Sequence, residues 1–154
     1  MAEKEVAAGL LMYRMKEGKP EVFLVHNGGP YYAKKDERAW SFPKGHIHEG
    51  EDILDGAKRE YIEETSFEVP DVEYIELGST TSRNKTVHAW AFEGDCDPSK
   101  LKSNTCMVEW PPRSGKQIEI PEVDRGEFVT LDAARVKIFA YLVPLIDIFE
   151  KKII

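Results

Sequence analysis

Apolar positions along the chain repeat with two periods, and the change between them marks out the elements. Apolar runs at Val6 to Tyr13 and Val22 to His26 predict two strands, and the Gly and Pro of the intervening "KEGKP" suit a tight reversal into a hairpin. A polar loop, "NGGPYYAKKDERA", leads to a short "WSF" strand that Pro43 and Gly45 stop. Strands are predicted again at Val72 to Thr80 and Thr86 to Glu93. The second of these is nearly apolar on both faces, with Val87, Ala89 and Ala91 opposite His88, Trp90 and Phe92, as in a central strand. A strand near Thr105 to Trp110 precedes "PPRSGKQIEIPEVDRG", which reads as a loop long enough to suggest a function, and a short strand at Phe128 and Val129 follows. Helical spacing governs the segment after Glu51 and the late segments "TLDAARVKI" and "VPLIDIFEKK", where Pro144 fits only a first turn. Strands interleaved with helices predict an α/β protein whose sheet is covered on both faces.

The chain has 154 residues and a mass of 17.6 kDa, the size of one domain spanning 1–154 with a single good core. Its 21 Lys and Arg against 28 Asp and Glu give a net charge of -7, which argues against gripping a long nucleic acid by counterion release. A small anionic ligand fits that balance if a metal or local basic residues carry its charge. Cys96 and Cys106 lack the C-x-x-C spacing of zinc or redox sites, and the N-terminal stretch has no basic region followed by a sustained apolar run. No apolar run approaches the length of a membrane span, and no internal repeat or low-complexity segment is present. A cytoplasmic protein with reduced thiols and no membrane partner is expected.

The chemistry concentrates in "GHIHEGEDILDGAKREYIEETSF". Asp52 is placed to cap a helix, and Ile53, Leu54, Ala57 and Tyr61 fall on one stripe that should face the sheet. Glu64 projects at the edge of that stripe, with Glu60 beside it and Glu63 further round. Like charges at i,i+3 and i,i+4 each cost a few tenths of a kcal/mol. A divalent cation would turn this repulsion into shared attraction, and hard oxygen ligands without a Cys or compact His set select Mg²⁺ or Mn²⁺. The alternative for a bare E-x-x-E-E is a solvated acidic helix face. Gly56, one turn before Glu60, is expected to leave room for a ligand. Arg59, at i,i+4 from Glu63, is expected to hold a carboxylate rotamer.

Gly45, Glu51 and the run Arg59-Glu60-Tyr61-Ile62-Glu63-Glu64-Thr65-Ser66-Phe67 closely resemble the Nudix box, G-x5-E-x7-R-E-U-x-E-E-x-G-U, where U is bulky and usually aliphatic. Two positions depart from it: Ser66 replaces the usual glycine, and Tyr61 the usual aliphatic residue. The resemblance implies a Nudix-type α/β/α sandwich with a mixed β-sheet. It also implies a pyrophosphohydrolase that uses divalent ions and water to cleave a nucleoside diphosphate linked to another group. The family's metal residues carry over onto Glu60 and Glu64, with Glu63 as ligand or general base and the Gly45 carbonyl as a further oxygen. Glu122 is the reserve base, and Arg59 stands with the catalytic residues through the carboxylate it orients.

Substrate-binding residues are expected before the box. "WSFPKG" resembles the equivalent segment of dinucleoside polyphosphate and diphosphoinositol polyphosphate hydrolases, so Lys44 is a candidate phosphate contact against a solvated loop lysine as the alternative. Arg38, with Lys34 and Lys35, is a candidate to line the phosphate path, again against a solvated loop. Trp40 is a candidate to stack on a base, as are Tyr31, Tyr32, Trp90 and Trp110, against places in the core or rim. His46 and His48 alternate but have no third soft ligand nearby, so a loop role is expected. The favoured reading is hydrolysis of a small phosphorylated nucleotide, a dinucleoside polyphosphate or a nucleoside triphosphate. Its rivals are a noncatalytic nucleotide-sensing domain and a structural metal-binding protein.

Overall fold

The computed structural model describes residues 5–153, so Met1 to Lys4 of the N-terminal stretch read above, and Ile154, lie outside it. β1 (Glu5–Lys16) and β2 (Lys19–Asn27) form the expected hairpin, closed by a two-residue turn at Glu17 and Gly18. β3 (Trp40–Ser41) and β4 (Lys44–His46) follow, then α1 (Ile53–Thr65), β5 (Ile75–Ser82) and β6 (Lys85–Glu93). β7 (Thr105–Glu109), β8 (Gln117–Pro121), β9 (Val123–Thr130), α2 (Leu131–Lys137) and α3 (Val143–Ile153) complete the order.

The main sheet runs β3-β2-β1-β6-β5, with β9 also paired to β2 and β4 to β1. It is mixed: β1 lies parallel to β6 and antiparallel to its other partners. β1 divides its second edge between two neighbours. Tyr13 to Lys16 pair with β2, whereas Ala7 to Gly9 pair with β4. The sheet therefore opens between β2 and β4, and that opening presents Lys44 and Gly45 to α1. Gly9 permits the crossing, since a Cβ there would stand 2.3 Å from the Pro43 carbonyl oxygen and 2.6 Å from Lys44 Cβ.

Two apolar layers hold the sheet. One packs Leu11, Leu24, Trp40 and Phe42 against Ile138, Leu142, Ile146 and Phe149 on the α2 and α3 side. The other packs Leu10, Met12, Phe23, Val25 and Phe92 against Ala57 and Tyr61 of α1. The arrangement is the α/β/α sandwich with a mixed sheet. Tyr61 faces the sheet as its stripe requires, and among the described residues its phenol has only the Met12 thioether, 3.8 Å away, as a partner.

The segment 111–126 corrects the sequence reading. It is not a loop: β7 and β8 pair as a separate two-stranded ribbon, and β9 begins at Val123 rather than at Phe128. The strand expected from Val72 is likewise displaced to Ile75–Ser82. Among the described residues no helix is long and apolar enough to cross a membrane.

Candidate active site

α1 starts where the sequence indicates. The Asp52 side chain accepts from the Asp55 amide at 3.1 Å, satisfying one of the free N–H groups of the first turn. The helix ends at Ser66, which is left-handed (φ 65°, ψ 13°), and its N–H donates to the Ile62 carbonyl at 2.8 Å. Its hydroxyl also donates to the Lys102 carbonyl at 2.5 Å. Glycine at this position would relieve roughly 1 kcal/mol of Cβ strain but lose a hydrogen bond of roughly equal net worth. Ser66→Gly is therefore expected to leave stability nearly unchanged. Ser66→Ala, which keeps the strain and loses the bond, should destabilise by about 1 kcal/mol. Urea denaturation measures both: a Ser66→Ala midpoint equal to the parent's would remove the hydroxyl from the account, and equal midpoints for the Gly and Ala variants would remove the strain.

Glu60 and Glu64 are 7% and 6% exposed, whereas Glu63 is on the solvent side. Glu60 lies against Gly45, where a Cβ would stand 2.0 Å from its Oε2 and 2.2 Å from its Cδ. The Glu64 Oε1 accepts from the Lys44 backbone N–H at 3.3 Å. Burial pushes the Glu60 carboxyl above its ordinary range; Arg59 pulls it down, and Glu63 and Glu122 add repulsion. Burial likewise raises Glu64 and lowers Lys44, each toward its neutral form, while their mutual attraction opposes both shifts. Glu122, half-buried between β8 and β9, adds its charge to the same cluster, and its backbone is fixed by the Asn104 carbonyl and the Gly28 N–H at 3.0 Å each.

Arg59 organises the outer side. It donates to Glu51 at 2.9 and 3.0 Å, to Glu60 at 2.9 Å, to both oxygens of Glu63 at 3.2 Å, and to the His46 carbonyl at 2.9 Å. Hydrogen bonds from Arg59 hold the Glu51 carboxyl down at about 2. Because that folded value lies below the ordinary 4.5, the pair stabilises the fold above about pH 4.5 and the benefit is lost as pH falls toward 2. Glu51→Gln is therefore expected to flatten the fall in urea midpoint between pH 5 and about pH 2 relative to the parent protein. Identical slopes would show that the pair does not couple to folding.

Several expected site residues are placed elsewhere. Trp40 is a core residue, 0% exposed, with its indole N–H donated to Asp36 at 3.0 Å, so neither ring face is free for a base. Arg38 donates to the carbonyls of Arg135 at 2.6 Å and Ile138 at 3.1 Å, stitching its loop to the end of α2 rather than lining a phosphate path. Gly56 leaves no room for a ligand, because Ile47 Cδ1 and Glu51 Oε1 would lie 2.4 and 2.9 Å from a Cβ there. His46 is exposed at the end of β4, a strand position rather than the expected loop, and His48 is an exposed loop residue. Lys44 is not a solvated lysine; it stands among Glu60, Glu64 and Glu122. Sequence reading missed Lys85, which lies beside Lys44, and the role of Glu51 as chief partner of Arg59.

Glu60, Glu63, Glu64 and Glu122 are hard oxygen donors, and the missing side chain of Gly45 lets the Glu60 carboxylate lie directly against the strand backbone. This donor set fits a divalent cation. In the present rotamers Arg59 and Lys44 draw the carboxylates to themselves, and among the described residues no three His, Cys, Asp or Glu side chains stand in metal-holding geometry.

A helix with buried carboxylates set against a mixed sheet in an α/β/α sandwich defines the class, a Nudix-type pyrophosphohydrolase. The NUDIX domain profile matches residues 3–144, and the chain belongs to the Nudix family. No curated protein matches it in sequence. Among solved structures it is similar to an Ap4A hydrolase of C. elegans in a binary complex, at 23% identity and TM-score 0.66, over 97% of each chain. The NUDIX domain of Shewanella oneidensis NrtR, complexed with ADP ribose, is 15% identical at TM-score 0.64, over 100% of this chain and 91% of that one. The MutT protein of Methanosarcina mazei Go1 is 18% identical at TM-score 0.62, over 99% and 97%. Nudix hydrolases use divalent metal ions.

Proposed function

We propose that this chain, a single Nudix domain, hydrolyses a phosphoanhydride bond in a small nucleotide, a dinucleoside polyphosphate first and a nucleoside triphosphate second, with Mg²⁺ or Mn²⁺ as cofactor. The observation that carries the reading is the burial of Glu60 and Glu64 against Gly45 and Lys44, with Glu122 and Glu63 around them. Among the described residues, Arg59 stands against Glu51, Glu60 and Glu63, and Lys44 against Glu60, Glu64 and Glu122, so the cluster holds more carboxylate than these two cations offset. An acidic helix face of purely structural use would put its carboxylates in solvent. The likeness to an Ap4A hydrolase supports the choice of substrate.

A divalent cation, when bound at Glu60, Glu64 and the Gly45 carbonyl, supplies charge neutralisation to the phosphate and makes nearby water more acidic. Glu63 is the general base. It takes a proton from the attacking water as the water oxygen bonds to phosphorus and the bridging P–O bond breaks, the electron pair leaving with the departing phosphate. Arg59, bonded to both Glu63 oxygens, fixes the orientation of that base. Lys44 steadies Glu64 and offers positive charge to the substrate. Glu122 is the second candidate for the base.

Hydrolysis in ¹⁸O-water followed by product mass tests the reading. We expect one labelled oxygen in a phosphate product of diadenosine tetraphosphate or ATP, with Mg²⁺ required. Binding of these nucleotides without any labelled product would replace the enzyme with a nucleotide sensor.

A further inference from the structure

β9 is not a regular strand. From Thr130 back to Arg125 it pairs with β2 residue by residue, but Arg125 faces His26 and Val123 faces Asn27, so Asp124 is an extra residue with no partner across the ladder. Because side chains alternate along a strand, a bulge of this kind reverses the facing of the residues beyond it. The packing records the reversal. Val123 and Phe128, five residues apart, lie in the same apolar layer on the α1 side, where an unbroken strand would put them on opposite faces. Glu122 precedes Val123 and so turns to the other side. Without the bulge, Glu122 would take the place of Val123 in that apolar layer.

A buried histidine holds the extra residue. His26 is 0% exposed; its Nδ1 meets the Asp124 carboxylate at 2.9 Å and its Nε2 the Lys35 carbonyl at 2.6 Å. A carbonyl and a carboxylate only accept, so the ring donates from both nitrogens and ties β9 to the loop after β2. Arg125 Nη1, 3.3 Å from both that Nδ1 and Asp124 Oδ1, donates to the carboxylate, and Trp40 packs edge-on against the ring at 5.1 Å. A buried histidine ordinarily satisfies only itself. Here its partner is the one residue of β9 that the ladder leaves out. From the bulge, backbone hydrogen bonds run on to α1: the Gly28 N–H donates to the Glu122 carbonyl and the Glu122 N–H to the Asn104 carbonyl at 3.0 Å each, and the Asn104 N–H donates to the Glu63 carbonyl at 2.9 Å. Asn104 thus joins the main chain of Glu122 to that of Glu63.

We propose that His26 and Asp124 are positioning residues: by pinning the bulge they set the side of β9 to which Glu122 turns and hold Glu122 in the carboxylate cluster. The effect on catalysis rests on the proposed hydrolase reading, whereas the effect on Glu122 rests on the ladder alone. Neither side chain touches substrate in this account. Both act through a residue that the bulge aims.

The test compares the parent protein with Asp124→Ala and Asp124→Asn, since Asp124 is exposed and neither change opens a core cavity. Asn keeps an oxygen that can accept from His26; Ala removes it. Amide hydrogen exchange reads the anchor directly. In Asp124→Ala, exchange at Gly28 and Glu122 should rise by about tenfold or more, while the Leu10 amide, bonded to the Pro43 carbonyl at 3.1 Å, keeps its parental rate. Asp124→Asn should restore both amides. With Mg²⁺ and either diadenosine tetraphosphate or ATP, kcat should fall about tenfold or more in Asp124→Ala with KM within a factor of about two, and recover in Asp124→Asn. Parental exchange at Gly28 and Glu122 in Asp124→Ala, a rise shared by Leu10, or local loosening with parental kcat each overturns the proposal. If the parent protein turns over neither nucleotide, the hydrolase reading falls and exchange alone decides the anchor. Loosening confined to Gly28 and Glu122 then upholds it, and any other pattern overturns it.

Discussion

Glu64→Gln is expected to lower kcat by about three orders of magnitude and, in the absence of metal, to make the protein more stable than its parent. The two effects share one cause. Glu64 is 6% exposed, and its carboxylate is crowded by Glu60 and Glu122 with only Lys44 in opposition. Gln keeps the shape and can still accept the Lys44 N–H, but it removes a charge that is unfavourable in the metal-free fold. In the working enzyme that charge holds the cofactor, and loss of several kcal/mol of charge stabilisation at the transition state corresponds to roughly a thousandfold in rate. Mg²⁺ titration of the melting temperature should show the crossover. The parent rises with metal by linkage, and Glu64→Gln starts higher and stays nearly flat. Each kcal/mol corresponds to about 2–4 °C for a chain of this size. Full activity in Glu64→Gln, or a melting curve that responds to Mg²⁺ as the parent's does, would take Glu64 out of the site.

The parts of this architecture that could be read from the chain are those set by local pattern. α1 has a capping aspartate, a clear apolar stripe and the box spacing, so its limits and its buried carboxylates follow from sequence neighbours alone. β1, β2 and β6 have apolar runs too long to be anything but strands. β8 fails the same test because "QIEIP" offers two isoleucines between prolines and glycine, and local turn signals outweigh so short an alternation. Trp40 and Arg38 stand close before the box and for that reason suggest substrate contacts. Their true environments come from α2, almost a hundred residues later: the Arg38 guanidinium meets carbonyls at Arg135 and Ile138, and Trp40 is closed over by the layer containing Ile138. Lys85 is invisible for the converse reason. It reaches Lys44 only because β6 lies parallel to β1 with Lys85 opposite Glu5, while β4 crosses the same half of β1 at Ala7 to Gly9. Register of that kind is set by the whole sheet, and no local spacing encodes it.

Gly45→Ala is expected to fold normally and to lose at least a hundredfold in kcat, through the position of a side chain it does not itself carry. The added methyl would stand 2.0 Å from Glu60 Oε2 and 2.7 Å from Oε1, so either the strand or the carboxylate must yield. The strand is poorly placed to do so, because Gly45 is in register with Ala8 and its neighbours Lys44 and His46 are paired with Gly9 and Ala7. The Glu60 carboxylate sits at the end of three rotatable bonds and can swing aside at small energetic cost, held mainly by one Arg59 hydrogen bond of 2.9 Å. Stability should therefore stay within about 1 kcal/mol of the parent, as for most substitutions without a core cavity or buried unpaired charge. Activity should not, because a displacement of about 1 Å at a positioned group can reduce rate a hundredfold. Glu60→Asp, which withdraws the carboxylate by one methylene, is expected to be impaired alone but to restore part of the activity in the Gly45→Ala background. Such a non-additive pair is the signature of direct contact. Strictly additive losses, or a Gly45→Ala protein with parental kcat, would show that the close approach of Gly45 to Glu60 has no part in the reaction.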